Sequence, residues 1–84
     1  MEFLFKDEAE KDLDYWNKTN KSVIKKIELL LKSMQENPFA GIGHPEPLKE
    51  NLSGYWSRRI NQEHRIVYTV QDETITIYSL KGHY

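Results

Sequence analysis

An α+β fold, with an N-terminal strand, a helical hairpin and then an antiparallel sheet of three to four strands, follows from three observations. Val23, Ile24, Ile27, Leu30, Leu31 and Met34 recur at helical spacing. The segment from Pro38 to Pro47 breaks the pattern with Gly41, Gly43 and all three prolines. After it, short apolar runs alternate with turn residues up to the end of the chain.

The elements follow in order. Phe3-Leu4-Phe5 reads as a first strand. Asp7 followed by Glu10 has the spacing of an N-cap with its capping box. A helix from about Glu8 to Lys18 would set Ala9, Leu13 and Trp16 on one stripe. Thr19-Asn20 breaks this helix, and either residue can cap the next. The second helix carries Lys21, Lys25, Glu28 and Lys32 on its outer face and stops at Asn37-Pro38. Leu48 to Leu52 is a strand start or a short turn, and Asn51-Leu52-Ser53-Gly54 has turn chemistry. Tyr55 to Ile60 and Arg65 to Val70 read as a hairpin around Asn61 to Glu63. Thr74 to Leu80 is the last strand, with Ile75 and Ile77 on one face.

With 84 residues the chain fits a single domain, residues 1–84. Hydrophobic residues make up 38% and charged residues 30%, a balance that suits a folded globular chain rather than a disordered one. With no cysteine, disulfides, thiolate metal sites and cysteine nucleophiles are excluded. No apolar run reaches the roughly 20 residues of a membrane span, and the opening Met1 to Asp7 lacks the apolar stretch of a signal peptide. A cytoplasmic location is the expectation, with no membrane partner. The net charge is −1, whereas nucleic-acid binders usually carry a basic excess. The charge is uneven, however. Asp7, Glu8, Glu10, Asp12 and Asp14 crowd the first helix, and the three arginines, Arg58, Arg59 and Arg65, lie on one hairpin.

The candidates for chemistry are few. His83-Tyr84 follows the last strand after Lys81-Gly82. Terminal residues commonly fray, yet this pair offers a proton-transfer group and an aromatic ring. Glu46 stands between Pro45 and Pro47, whose rings stiffen the backbone around a carboxylate. A solvated loop acid and a positioned general base both fit it. Arg58 and Arg59 are adjacent and so point to opposite faces of a strand. One can serve the fold and the other a site, while the face of Arg65 depends on the hairpin register. An arginine fork suits phosphate. Asp12 and Asp14, two apart on a helix, read as a solvated acidic face rather than a metal pair. His44 and His64 show no ligand pattern with His83, and Gly41-Ile42-Gly43 lacks the lysine and helix of a phosphate loop. Trp16 and Trp56 read as core or core-edge residues. A base, an acid and a cation are what self-cleavage of RNA through its 2′-hydroxyl requires. Glu46, His83 and an arginine could supply them. No metal ion or other cofactor is expected.

Several blocks together carry a family resemblance. They are Asn37-Pro38-Phe39, Gly43-His44-Pro45-Glu46-Pro47-Leu48-Lys49, Asn51-Leu52-Ser53-Gly54-Tyr55-Trp56-Ser57-Arg58-Arg59-Ile60, Glu63-His64-Arg65-Ile66-Val67-Tyr68 and the final His83-Tyr84. In these the chain resembles, over its whole length, the YoeB toxins of bacterial toxin–antitoxin modules, within the RelE/ParE superfamily. The resemblance implies a microbial-ribonuclease-like fold and cleavage of messenger RNA in the ribosomal A site, which blocks translation. It implies the ribosome and mRNA as partners, and a YefM-like antitoxin that wraps the toxin and remodels or covers its site. A homodimer is among the assemblies it admits. By similarity Glu46 would be the general base and His83 the general acid. Arg65 would stabilise charge on the phosphorane, and Tyr84 would orient the substrate. Lys49 and Arg59 would be further basic residues at the substrate. Residues 39–43 and the last strand read as freely variable. Two other readings remain in view: a superfamily toxin that poisons a protein target, as the gyrase-directed branch does, and a non-catalytic RNA-binding module.

Overall fold

Elementary backbone rules account for the first half of the molecule. The computed structural model describes residues 1–82; His83 and Tyr84 lie outside the described residues. Strand β1 (Glu2–Phe5) leads into helix α1 (Asp7–Thr19) and helix α2 (Lys21–Glu36), which are separated by Asn20 alone. Asn20 is extended. Its N–H donates to the Trp16 carbonyl and ends α1, while its Oδ1 accepts from the amides of Ser22 at 3.1 Å and Val23 at 3.3 Å and starts α2. Asn37, extended ahead of Pro38, ends α2 as the proline requires.

The capping box expected from Asp7 and Glu10 is not formed. Lys6 is the N-cap of α1, with no side-chain hydrogen bond, and its carbonyl already accepts from the Glu10 amide. Asp7 is thus the first helical residue. Asp7, Glu8 and Glu10 fill the first turn, where their charge meets the positive end of the helix dipole.

Strands β2 (Glu46–Pro47), β3 (Trp56–Arg59), β4 (Arg65–Gln71) and β5 (Thr74–Ser79) complete a five-stranded sheet in the order β1-β5-β4-β3-β2. All pairings are antiparallel except β1 with β5, which is parallel. Pro47 lies in an edge strand, the place where a missing N–H is tolerated. Segment Glu50–Leu52 is a 3₁₀ turn, so the short strand falls before Leu48 rather than within 48–52. Between β4 and β5 the register slips: Tyr68 faces Ile77 but Val67 faces Ser79, leaving Tyr78 as an extra residue.

Both helices pack on one face of the sheet. Ala9 and Trp16 of α1 and Ile27, Leu30 and Met34 of α2 meet Ile66, Tyr68, Ile75 and Ile77 in one buried cluster. Arg58 belongs to this face and is fully buried. Each of its five donors is used: Nε on the Tyr68 hydroxyl, Nη1 on Ser33 Oγ and the Ile42 carbonyl, and Nη2 on the carbonyls of Asn37 and Ala40. The guanidinium therefore ties β3 to the end of α2 and to the loop that follows. That loop is not freely variable. A Cβ on Gly41 would lie 2.3 Å from Ser33 Oγ, and one on Gly43 would lie 2.5 Å from a Leu30 methyl. Both residues also have φ in the left-handed range.

Candidate active site

The face of the sheet turned away from the helices follows from strand alternation. Residues paired directly across strands point to the same side. Glu46 faces Ser57, Ser57 faces Val67, and Val67 faces Ser79. Arg59, two residues beyond Ser57, faces Arg65. Glu46, Arg59 and Arg65 thus come from three strands and share one side, opposite to Arg58. Alternation separates the two adjacent arginines as expected: Arg58 serves the fold, and Arg59 is exposed on the open face.

Arg65 and Glu46 make contact. Arg65 Nη1 donates to Glu46 Oε1 at 3.1 Å; the two side chains are 19% and 42% exposed. The pairing is geometrically natural. Arg65 opens β4, Glu46 opens β2, and β3 lies between them with the short side chain of Ser57 beside the acid. Val67 and Ser57, on the same side of the sheet, are buried next to this pair. An ionised carboxylate can accept a proton, and a neighbouring guanidinium can hold a phosphate oxygen. Lys49 lies just past β2, exposed, and makes no ion pair among the described residues.

Three features depart from the sequence reading or go beyond it. Tyr55 and Tyr78 stack edge to face with ring centres 5.0 Å apart. The Tyr78 hydroxyl lies 3.4 Å from Thr69 Oγ1, and Thr69 falls two residues after Val67 on the open side. An aromatic pair therefore borders the charged residues. The signal was present in the spacing of Tyr55 and Ser57, but the bulge at Tyr78 has no sequence mark. Asp12, expected on a solvated acidic face, is instead buried, and its Oδ2 accepts from the Leu80 amide at 2.9 Å. The solvated reading does hold for Asp14, which is exposed and pairs with Lys18. His64 is the third: its Nδ1 accepts from the Gly82 amide at 2.9 Å.

His83 and Tyr84, expected as the acid and the substrate-orienting residue, lie outside the described residues. Gly82, which precedes them, is placed: its carbonyl accepts from the Arg65 amide at 2.9 Å. The chain therefore arrives at His83 from a residue bonded to the backbone of Arg65. No group of three His, Asp or Glu side chains that could hold a metal ion occurs among the described residues. No described helix is long and apolar enough to cross a membrane.

The family model for the YoeB-like toxin of the bacterial type II toxin–antitoxin system matches residues 5–84. The chain belongs to the YoeB toxin family. It is 48% identical to the Escherichia coli K12 toxin YoeB over the full length of both chains. The YoeB dimer from Staphylococcus aureus superposes with a TM-score of 0.93 at 50% identity, covering 100% of this chain and 98% of the other. YoeB in the Staphylococcus aureus YoeB–YefM complex superposes with a TM-score of 0.91 at 52% identity, with the same coverage. The fold expected from the residue pattern, an N-terminal strand, a helical hairpin and a mostly antiparallel sheet, is the fold observed.

Proposed function

We propose that this toxin is a ribosome-dependent, metal-independent endoribonuclease that cleaves mRNA in the ribosomal A site and so inhibits translation. The observation that carries this reading is the Glu46–Arg65 pair at 3.1 Å on the open face, with Arg59 opposite Arg65. In the proposed reaction Glu46 takes the proton of the 2′-hydroxyl. The 2′-oxygen forms a bond to phosphorus as the bond from phosphorus to the 5′-oxygen breaks. Arg65 balances the charge gathering on the phosphorane oxygens, and His83 protonates the departing 5′-oxygen. The products are a 2′,3′-cyclic phosphate and a 5′-hydroxyl. Tyr84 orients the substrate, Lys49 and Arg59 hold neighbouring phosphates, and Tyr55 with Tyr78 offers an aromatic surface for a base.

The ribosome answers the charge problem. A chain of net charge −1 has little general attraction for RNA. Presentation of the codon by the ribosome replaces that attraction with positioning. The Staphylococcus aureus YoeB–YefM complex supports a YefM-like antitoxin as the neutralising partner, and the YoeB dimer supports self-association.

The test is cleavage of mRNA on a programmed ribosome with an open A site. Wild-type protein should cut with kcat insensitive to chelators once ribosome integrity is controlled. Glu46→Gln should bind and cut about a hundredfold or more slowly. Full kcat in Glu46→Gln would remove the proposed base. Persistent cellular toxicity of that variant would favour a protein target instead. Equal cleavage of naked RNA without ribosomes would overturn the ribosome dependence.

A further inference from the structure

Residues 80–82 are held more firmly than their place beyond the last strand requires. The Leu80 amide donates to Asp12 Oδ2 at 2.9 Å, and the Leu80 carbonyl accepts from Trp16 Nε1 at 2.8 Å. Both partners come from α1, four residues apart and therefore on one side of the helix. Next in line, Lys81 sets its ammonium 4.0 Å from the centre of the Tyr15 ring. The Gly82 amide donates to His64 Nδ1 at 2.9 Å, and the Gly82 carbonyl accepts from the Arg65 amide. The His64 ring in turn packs edge-on against Trp16, with centres 4.8 Å apart.

Three polar side chains, none of them on the open face, thus converge on two consecutive peptide groups and the glycine after them. Asp12 and Trp16 are buried, at 6% exposure each, so these hydrogen bonds are shielded from water. Satisfying β5 alone does not need them, since its ladder ends at Ser79. Gly82 has φ of +82°, which turns the chain after the clamp. We propose that Asp12, Trp16 and His64 form a latch that fixes residues 80–82, the run that leads into the proposed acid His83, and that catalysis depends on this latch. None of the three touches the substrate; they are positioning residues. The catalytic half of the proposal rests on the ribonuclease reading above, whereas the latch itself does not.

Two pairs of variants test it, each measured by amide hydrogen exchange and by single-turnover cleavage on programmed ribosomes. His64→Phe keeps a ring against Trp16 but removes the acceptor. His64→Asn restores an acceptor near the place of Nδ1. In His64→Phe the Gly82 amide should exchange about tenfold faster or more, and kcat should fall by about tenfold or more with KM within about twofold. His64→Asn should recover most of both. Asp12→Ala and Asp12→Asn form the second pair, read at the Leu80 amide, and decide the matter if His64→Phe fails to fold. Unchanged protection at Gly82 in His64→Phe, or a His64→Asn variant no better than His64→Phe, would overturn the latch. Lost protection with full kcat would overturn the positioning role. A wild-type protein that cleaves nothing would defeat the ribonuclease reading, and the exchange measurements would still judge the latch.

Discussion

Arg58 and Arg59 are neighbours with the same side chain, and the fold gives them opposite work. The pleat turns Arg58 inward, where five neutral acceptors surround it and no carboxylate does. Three of those acceptors are backbone carbonyls at or just beyond the end of α2, where the helix dipole is negative. Lysine cannot reproduce the planar fork. Arg58→Lys should lose about 2–4 kcal/mol in urea unfolding, because carbonyls and hydroxyls are left buried without donors. Tyr68 shares this cluster, donating to the Pro38 carbonyl at 2.8 Å. Burial lifts its pKa above the ordinary 10.0, and the Arg58 hydrogen bond and charge offset only part of the rise. The folded state then holds the phenolic proton more tightly than the unfolded state. Stability is intact below pH 10.0 and falls as pH rises toward and through the folded value. Denaturation at rising pH should show this alkaline loss in wild type and a shallower one in Tyr68→Phe. That one arginine faces inward was legible from alternation. Which one was not, because its acceptors come from Ser33, Asn37, Ala40 and Ile42, supplied by packing rather than by neighbours in sequence.

At the level of elements, local chemistry accounts for most boundaries. Asn20 serves as C-cap of one helix and N-cap of the next. Asn20→Ala should cost about 1 kcal/mol, read as a lower denaturation midpoint with an unchanged m-value. Lys6 occupies an N-cap with extended backbone and no side-chain bond. Lys6→Ser supplies the missing acceptor and removes a cation from the positive end of α1, so it should stabilise by about 0.5–1 kcal/mol. Glycines divide the same way. Gly43→Ala should cost about 2 kcal/mol or more, since strain adds to the collision with Leu30. At Gly54 a Cβ meets nothing within 4 Å, and Gly54→Ala should cost only the backbone strain, about 1 kcal/mol. The helices and strands were legible because period and caps are local signals. Three things were hidden: the burial of Asp12, whose partner Leu80 is 68 residues away, the close approaches at Gly41 and Gly43, and the bulge at Tyr78. Each depends on what packs alongside, which pattern alone does not carry. The YoeB resemblance named Glu46 and Arg65 together; alternation and register then show them sharing a face.

Across the whole molecule, charge is segregated rather than abundant. The 12 lysines and arginines nearly cancel the 13 acids in the total, but acids crowd α1 while Arg59 and Arg65 sit together on the open face. If Lys49, Arg59 and Arg65 each neutralise one phosphate, binding to isolated single-stranded RNA should be weak. The logarithm of its affinity should fall against the logarithm of salt with a slope of about −2. A much steeper slope would mean a larger electrostatic footprint than the open face offers.

The parallel pairing of β1 with β5 joins the two ends of the sequence inside one sheet. A chain growing from its N-terminus cannot complete that sheet until Ser79 has cleared the exit tunnel. Residues 80–82, and with them the contacts from Asp12, Trp16 and His64, come later still. The order of the strands thus makes closure of the sheet, and with it the joining of its charged face, a late step for the growing chain.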